Sequence, residues 1–154
     1  RSMLLKNFMK ADRVILGLEG GSQEQILRTL IAPMVQIGTV TDPDQMVADL
    51  LRRESEVTTV IDNGIAFPHA RSNAVRALSL TVGIAVEGGV SFASAANLKT
   101  PLFFCLAIPA FAPTAHMRLL QSLALFSREM NRVERLLQSA TPAAAARYLG
   151  NFKG

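Results

Sequence analysis

The chain is poor in the residues that would mark many common functions. One cysteine, Cys105, rules out an internal disulfide and fits a reducing compartment. Two histidines 47 residues apart, with that single cysteine, do not form a recognisable metal-ligand set. Tryptophan is absent, and one tyrosine and eight phenylalanines are all that could stack on bases, most of the latter in apolar stretches. The run "EGGS" at 19–22 lacks the lysine of a phosphate-binding loop, and no strand is expected ahead of it. No charge-free apolar run reaches the roughly 18 residues needed to cross a bilayer. The longest, "LFFCLAIPAFAP", is broken by Pro109 and reads as a buried strand entering a loop. No signal peptide is evident, and Arg1-Ser2 ahead of Met3 reads as a cloning remnant. A soluble cytoplasmic protein, without direct membrane insertion, is the expectation.

What is present is a chain of 154 residues, 49% hydrophobic and 18% charged, a size suited to one domain over residues 1–154. The net charge of +4 is spread over single arginines or arginines beside acids, as in "RRESE" and "SREMNRVERLL". That distribution suits a solvated basic surface and an acidic protein partner better than a nucleic-acid groove, so no nucleic-acid partner is expected.

Helix signals open and close the chain. Ser22 and Gln25 form a capping box before Ile26, Leu27, Leu30 and Ile31, with Pro33 expected to kink or shorten the helix and Gly38 at its exit. Asp42 caps the next helix, Pro43 takes its first position, and Met46, Val47, Leu50 and Leu51 form its apolar face to about Glu54. Later, Thr114 is expected to cap a helix carrying Leu119, Leu120, Leu123 and Phe126. Asn131 with Glu134 opens another, and Thr141-Pro142 a last one ending at Gly150. Between them, "VTTVIDNGIAF" reads as two extended pieces around an Asp-Asn-Gly turn, "LSLTVGIAV" as a strand with one heavy face, and "PLFFCLAI" as a strand covered on both faces. Helices, then strands, then helices predict an α/β sandwich with a mixed sheet.

Three places could carry chemistry. His69 follows Pro68, whose fixed φ, with the restriction it puts on Phe67, presents the imidazole in a narrow range of directions where a strand emerges at the sheet end. On a helical wheel starting at Met46, Glu54 falls at about 80° and Arg53 at about 340°, the first inside the apolar face and the second on its flank. Charges there are costly without partners. They either satisfy local backbone groups, or Arg53 lines a cavity that receives an anion. His116 is placed in the first turn after Thr114, sharing the buried stripe of Leu119 and Leu123, either as a core residue or as a neutral hydrogen-bond partner beside free helix amides.

Taken together, "RRESEVTTVIDNGIAFPHAR" and "AHMRLLQSLALFSRE" resemble the enzyme IIA domain of the fructose/mannitol class of the bacterial phosphotransferase system, a family that includes the nitrogen-regulatory IIA proteins. "GVSF" at 89–92 and the apolar strand ending at Pro109 extend the resemblance over the whole chain, with Asp62 and Phe67 departing from the family's usual residues. The resemblance implies a three-layer sandwich with a mixed sheet of about five strands. It implies that His69 accepts a phosphoryl group from a histidine-containing phosphocarrier protein and passes it to a IIB domain. Arg53 would supply positive charge, His116 would act as the second site histidine, and Thr59, Asn63 and Glu54 would support the phosphoryl group. No cofactor is implied, since the donor is itself a phosphoprotein. Two roles stay open: a component of a sugar relay, favoured by "PHARS", and a regulatory module that binds a protein target according to the phosphorylation state of His69, favoured by the absence of neighbouring transport domains.

Overall fold

Strand and helix boundaries follow from where side chains find cover. The structure, a computed structural model, describes residues 5–94 and 97–154; Arg1-Ser2 lies outside them. The central sheet has four strands in the order β1, β3, β6, β2: β1 (Val14–Leu18), β2 (His69–Ser72), β3 (Ser79–Ala85) and β6 (Leu102–Pro109). The pairs β1–β3 and β2–β6 are parallel and β3–β6 is antiparallel, so the sheet is mixed. Short strands β4 (Val90–Ser91) and β5 (Lys99–Thr100) form a separate antiparallel ribbon.

Every residue of β6 is buried, as its unbroken apolar run requires. Leu102, Phe104 and Leu106 face one core, while Phe103, Cys105 and Ala107 face the other. The heavy face of β3 (Leu80, Val82 and Ile84) joins the first core. Over the second lie α1 (Gln23–Gln36) and α2 (Pro43–Glu56); over the first lie α3 (Met117–Ser127), α4 (Met130–Leu137) and α5 (Pro142–Gly150). The architecture is the three-layer α/β sandwich with a mixed sheet. Gly83 lets α1 come close to β3, because a Cβ there would stand 2.7 Å from Leu30 Cδ2.

The capping box of Ser22 and Gln25 is complete, Asp42 accepts the amide of Gln45, and Thr141 accepts that of Ala144. Pro33 is accommodated inside α1, and Gly38 follows with φ +82°. Two expected starts are corrected. Thr114 lies in a turn before α3, whose cap position is His116, without a side-chain capping bond. Glu129, not Asn131, precedes α4, and it makes no capping bond either. The strand β1 was not expected, so the order is strand first, then helices.

Candidate functional site

The segment before His69 is a staircase of hydrogen bonds. Glu54, near the end of α2, is 7% exposed, and its carboxylate accepts from Thr58 Oγ1 (2.9 Å), the Thr59 amide (2.8 Å) and Thr59 Oγ1 (2.6 Å). The buried charge on the apolar face therefore has partners, and they lie in the turn that follows the helix. The Thr59 carbonyl accepts the Phe67 amide, and Val60 bridges Ala66 in an antiparallel pair around the Asp62-Asn63-Gly64 turn. From Ala66 onward the chain runs along β6, with the Phe104 amide donating to the Ala66 carbonyl and the Leu106 amide to the Pro68 carbonyl. His69 is the first residue of β2, opposite Leu106, rather than beyond a strand end.

The imidazole of His69 is half-buried, and its Nδ1 lies 2.7 Å from the Phe67 carbonyl oxygen. A carbonyl only accepts, so Nδ1 carries the proton and Nε2 keeps its lone pair. His116 stacks on His69 with ring centroids 5.8 Å apart and planes at 28°. It is 3% exposed, and its Nδ1 is buried without a hydrogen-bond partner.

Burial holds both imidazoles below the ordinary histidine range. For His69 the carbonyl of Phe67 opposes that shift, Arg53 reinforces it, and Glu54 and Arg71 act in opposite senses more weakly. For His116 burial is again first, followed by the charges of His69 and Arg71. Both rings are thus neutral near pH 7.

Arg53 donates from Nη1 to the Val57 carbonyl at 2.8 Å, which fixes its stem while its charge acts on His69. Arg71, two residues after His69 and on the same strand face, donates from Nε to the Pro113 carbonyl at 2.6 Å. Among the described residues neither arginine is paired with a carboxylate. Arg71 was not expected; the period of two from His69 was the signal that could have found it.

The structure thus gathers His69, His116, Arg53 and Arg71. Thr59 spends its hydroxyl on Glu54. Asn63 turns its amide toward the Ser127 carbonyl (3.3 Å) and Met130 Sδ (3.7 Å), while its Oδ1 accepts the Ile65 amide. These two, with Glu54, tie down the segment leading to His69. Phe111 and Met117, 78% and 55% exposed, add apolar surface on either side of His116 in sequence. No group of three or more histidine, cysteine, aspartate or glutamate residues that could hold a metal occurs among the described residues. None of their helices is long and apolar enough to cross a membrane.

Comparison with known proteins gives the family and the fold. A fructose-specific EIIA component of Haloferax volcanii is 29% identical over 77% of this chain and 76% of its own length. A nitrogen regulatory protein of Pseudomonas aeruginosa is 24% identical over 94% and 92%. The mannitol enzyme IIA of Escherichia coli, solved in complex with its phosphorylated enzyme IIB, shares the fold with a TM-score of 0.77 at 20% identity, covering 94% of this chain and 98% of that one. The model of the phosphoenolpyruvate-dependent sugar phosphotransferase system EIIA 2 family matches residues 7–151, and the chain belongs to that family.

Proposed function

We propose that this protein carries a phosphoryl group on Nε2 of His69, taking it from the phosphohistidine of a histidine-containing phosphocarrier and delivering it to a IIB component of a fructose/mannitol-type permease. The single observation that carries this reading is the 2.7 Å bond from His69 Nδ1 to the Phe67 carbonyl, which leaves Nε2 as the one nucleophilic nitrogen. The Nε2 lone pair attacks phosphorus as the bond from phosphorus to the donor nitrogen breaks and that nitrogen keeps the electron pair. Nδ1 keeps its proton throughout. Arg53 and Arg71 balance the charge on the equatorial phosphoryl oxygens, a role for which neither needs to leave a carboxylate. His116, neutral and stacked on His69, donates to a phosphoryl oxygen from a ring that burial keeps uncharged. Phe111 and Met117 supply apolar contact for the carrier.

Incubation with phosphoenolpyruvate, enzyme I and the phosphocarrier, read by intact mass, tests the assignment. One acid-labile phosphate on the wild type and none on His69→Ala is the expected result. No gain on the wild type with an active donor overturns it.

A regulatory role is the second reading, favoured by the alignment with the nitrogen regulatory protein over nearly the whole chain. It expects the phosphorylated protein to hold its phosphate when a fructose-type IIB domain is added and to change its affinity for a protein target.

A further inference from the structure

Next to the histidine pair, but outside it, lies a cavity of about 620 Å³ lined by residues that the phosphoryl chemistry does not use, among them Thr41, Asp42, Gln45, Asp49 and Arg52, with Arg71 at its boundary. Its lining holds an unusual group. Asp49 is an acid on the inward side of α2, only 5% exposed. Both of its protein bonds fall on one oxygen: Gln45 Nε2 reaches Oδ1 at 3.0 Å and Arg52 Nη2 reaches it at 2.7 Å. A buried carboxylate is costly unless its acceptor sites are filled, and Oδ2 is the atom left to a cavity occupant. Arg71, also in the lining, uses Nε on Pro113 and has its terminal nitrogens in hand. Asp49 is ion-paired with Arg52 at 2.7 Å, and the other two charges of the lining, Asp42 and Arg71, are opposite in sign, so the lining carries no net charge. Such a wall favours a molecule that is itself neutral and dipolar over a simple anion or cation.

We infer that this cavity binds a small zwitterion of the α-amino-acid type, its ammonium group on Asp49 Oδ2 and its carboxylate on the Arg71 fork. Bidentate pairing of guanidinium with carboxylate gives the site its orientation. Thr41 and Asn73 stand on the same wall for a polar side chain. Because Arg71 also acts on both histidines, a bound carboxylate would partly cancel its field there and raise both imidazole pKa values. The site would then report ligand occupancy to the phosphoryl-transfer centre. That coupling rests on the function proposed above, whereas the binding itself does not.

The test uses the unphosphorylated full chain, without phosphoryl donor, so its outcome is independent of the phosphorylation assay. Backbone amide NMR shifts are followed during titration with glycine, L-alanine, L-serine and L-glutamate, with acetate and methylammonium as single-charge controls. The expected result is saturable movement of the Thr41, Asp49 and Asn73 amides with at least one amino acid, at least ten-fold tighter than with either control. Asp49→Asn should weaken that binding ten-fold or more. Ala110→Leu, which adds bulk to the lining while Asp49 keeps its carboxylate, should do the same in a chain whose remaining spectrum is unchanged. No saturable shift with any of the four, controls that bind as well as the amino acids, or equal affinity in Ala110→Leu would each overturn the inference.

Discussion

The carbonyl oxygen of Phe67 and Nδ1 of His69 are 2.7 Å apart, two residues from each other along the chain. This contact decides which ring nitrogen keeps its lone pair. It depends on backbone placement alone, since any residue at position 67 offers the same carbonyl. The departure of the Phe67 side chain from the family's usual aliphatic residue therefore leaves the tautomer untouched. The ring is buried against Phe104 at 5.5 Å, inside the core.

Acid should weaken both activity and fold. Burial lowers the pKa of His69 and His116 in the folded chain, while in the unfolded chain both titrate near the ordinary value of 6.5. Below pH 6.5 the unfolded state therefore binds protons that the folded state refuses. The stability from this pair, complete above 6.5, is lost as pH falls toward the folded values. Urea midpoints from pH 8 to 5 should decline in the wild type and decline less in His116→Ala. The rate of phosphate gain should fall only below 6.5, where Nε2 of His69 becomes protonated.

Removing either arginine should slow phosphate gain, with different signatures. Arg53→Ala is expected to slow it about 100-fold, the scale of losing one charged donor to the transferring group, with Arg53→Lys recovering part of the loss. Arg53→Ala should also raise the pKa of His69, whereas Arg71→Ala should raise that of both imidazoles; burial is the larger determinant for each, and the difference can be read by NMR titration of their ring protons.

Glu54→Ala leaves the buried Thr59 amide and hydroxyl without their acceptor. A loss of about 2–4 kcal/mol in urea unfolding is expected. Glu54→Gln should lose less, because the amide oxygen can still accept from the Thr59 amide.

Gly64→Ala should cost at least about 3 kcal/mol. The residue has φ +90°, and a methyl there would collide with the backbone oxygen of Lys99. Gly88→Ala serves as the comparison: φ is +88° but the space around it is open, so about 1 kcal/mol is expected.

Cys105 should be inert. Burial in β6 pushes its thiol up to about 12. A thiol-reactive dye should label it only after unfolding, so the labelling rate in urea tracks the unfolded fraction.

The features legible in the sequence are those whose cause is local. Ser22 with Gln25, Asp42 with Pro43 and Thr141 with Pro142 each cap a helix with atoms three or four residues away, and each was read correctly. Thr114 and Asn131 have the same residue types, but packing of Leu119, Leu123 and Val133 into the core sets where α3 and α4 begin. The strand β1 is not legible in the sequence, because Gly17, at φ +68°, interrupts its register on β3 between Leu16 and Leu18. At the site, Pro68 makes His69 conspicuous and the helical wheel marks Glu54 as buried. The wheel cannot say that Glu54 serves Thr59, and nothing in the chain order says that His69 and His116 stack. That contact is made by the sheet and α3 together.

Two hydrogen bonds join the histidine-bearing segments at opposite ends. Arg71 in β2 holds Pro113, three residues before His116, and Asn63 in the turn before β2 holds Ser127, the last residue of α3. A strut at each end leaves little room for the segments to slide or pivot against one another. The gap between the two rings is thus set when the chain folds, not when a partner arrives. A carrier of the kind proposed must meet a donor and an acceptor in alternation, and with this bracing neither encounter would have to rebuild the centre. The reorganisation that each proposed transfer requires would then fall to the solvent and to the visiting surface, and the same face could serve both directions of transfer.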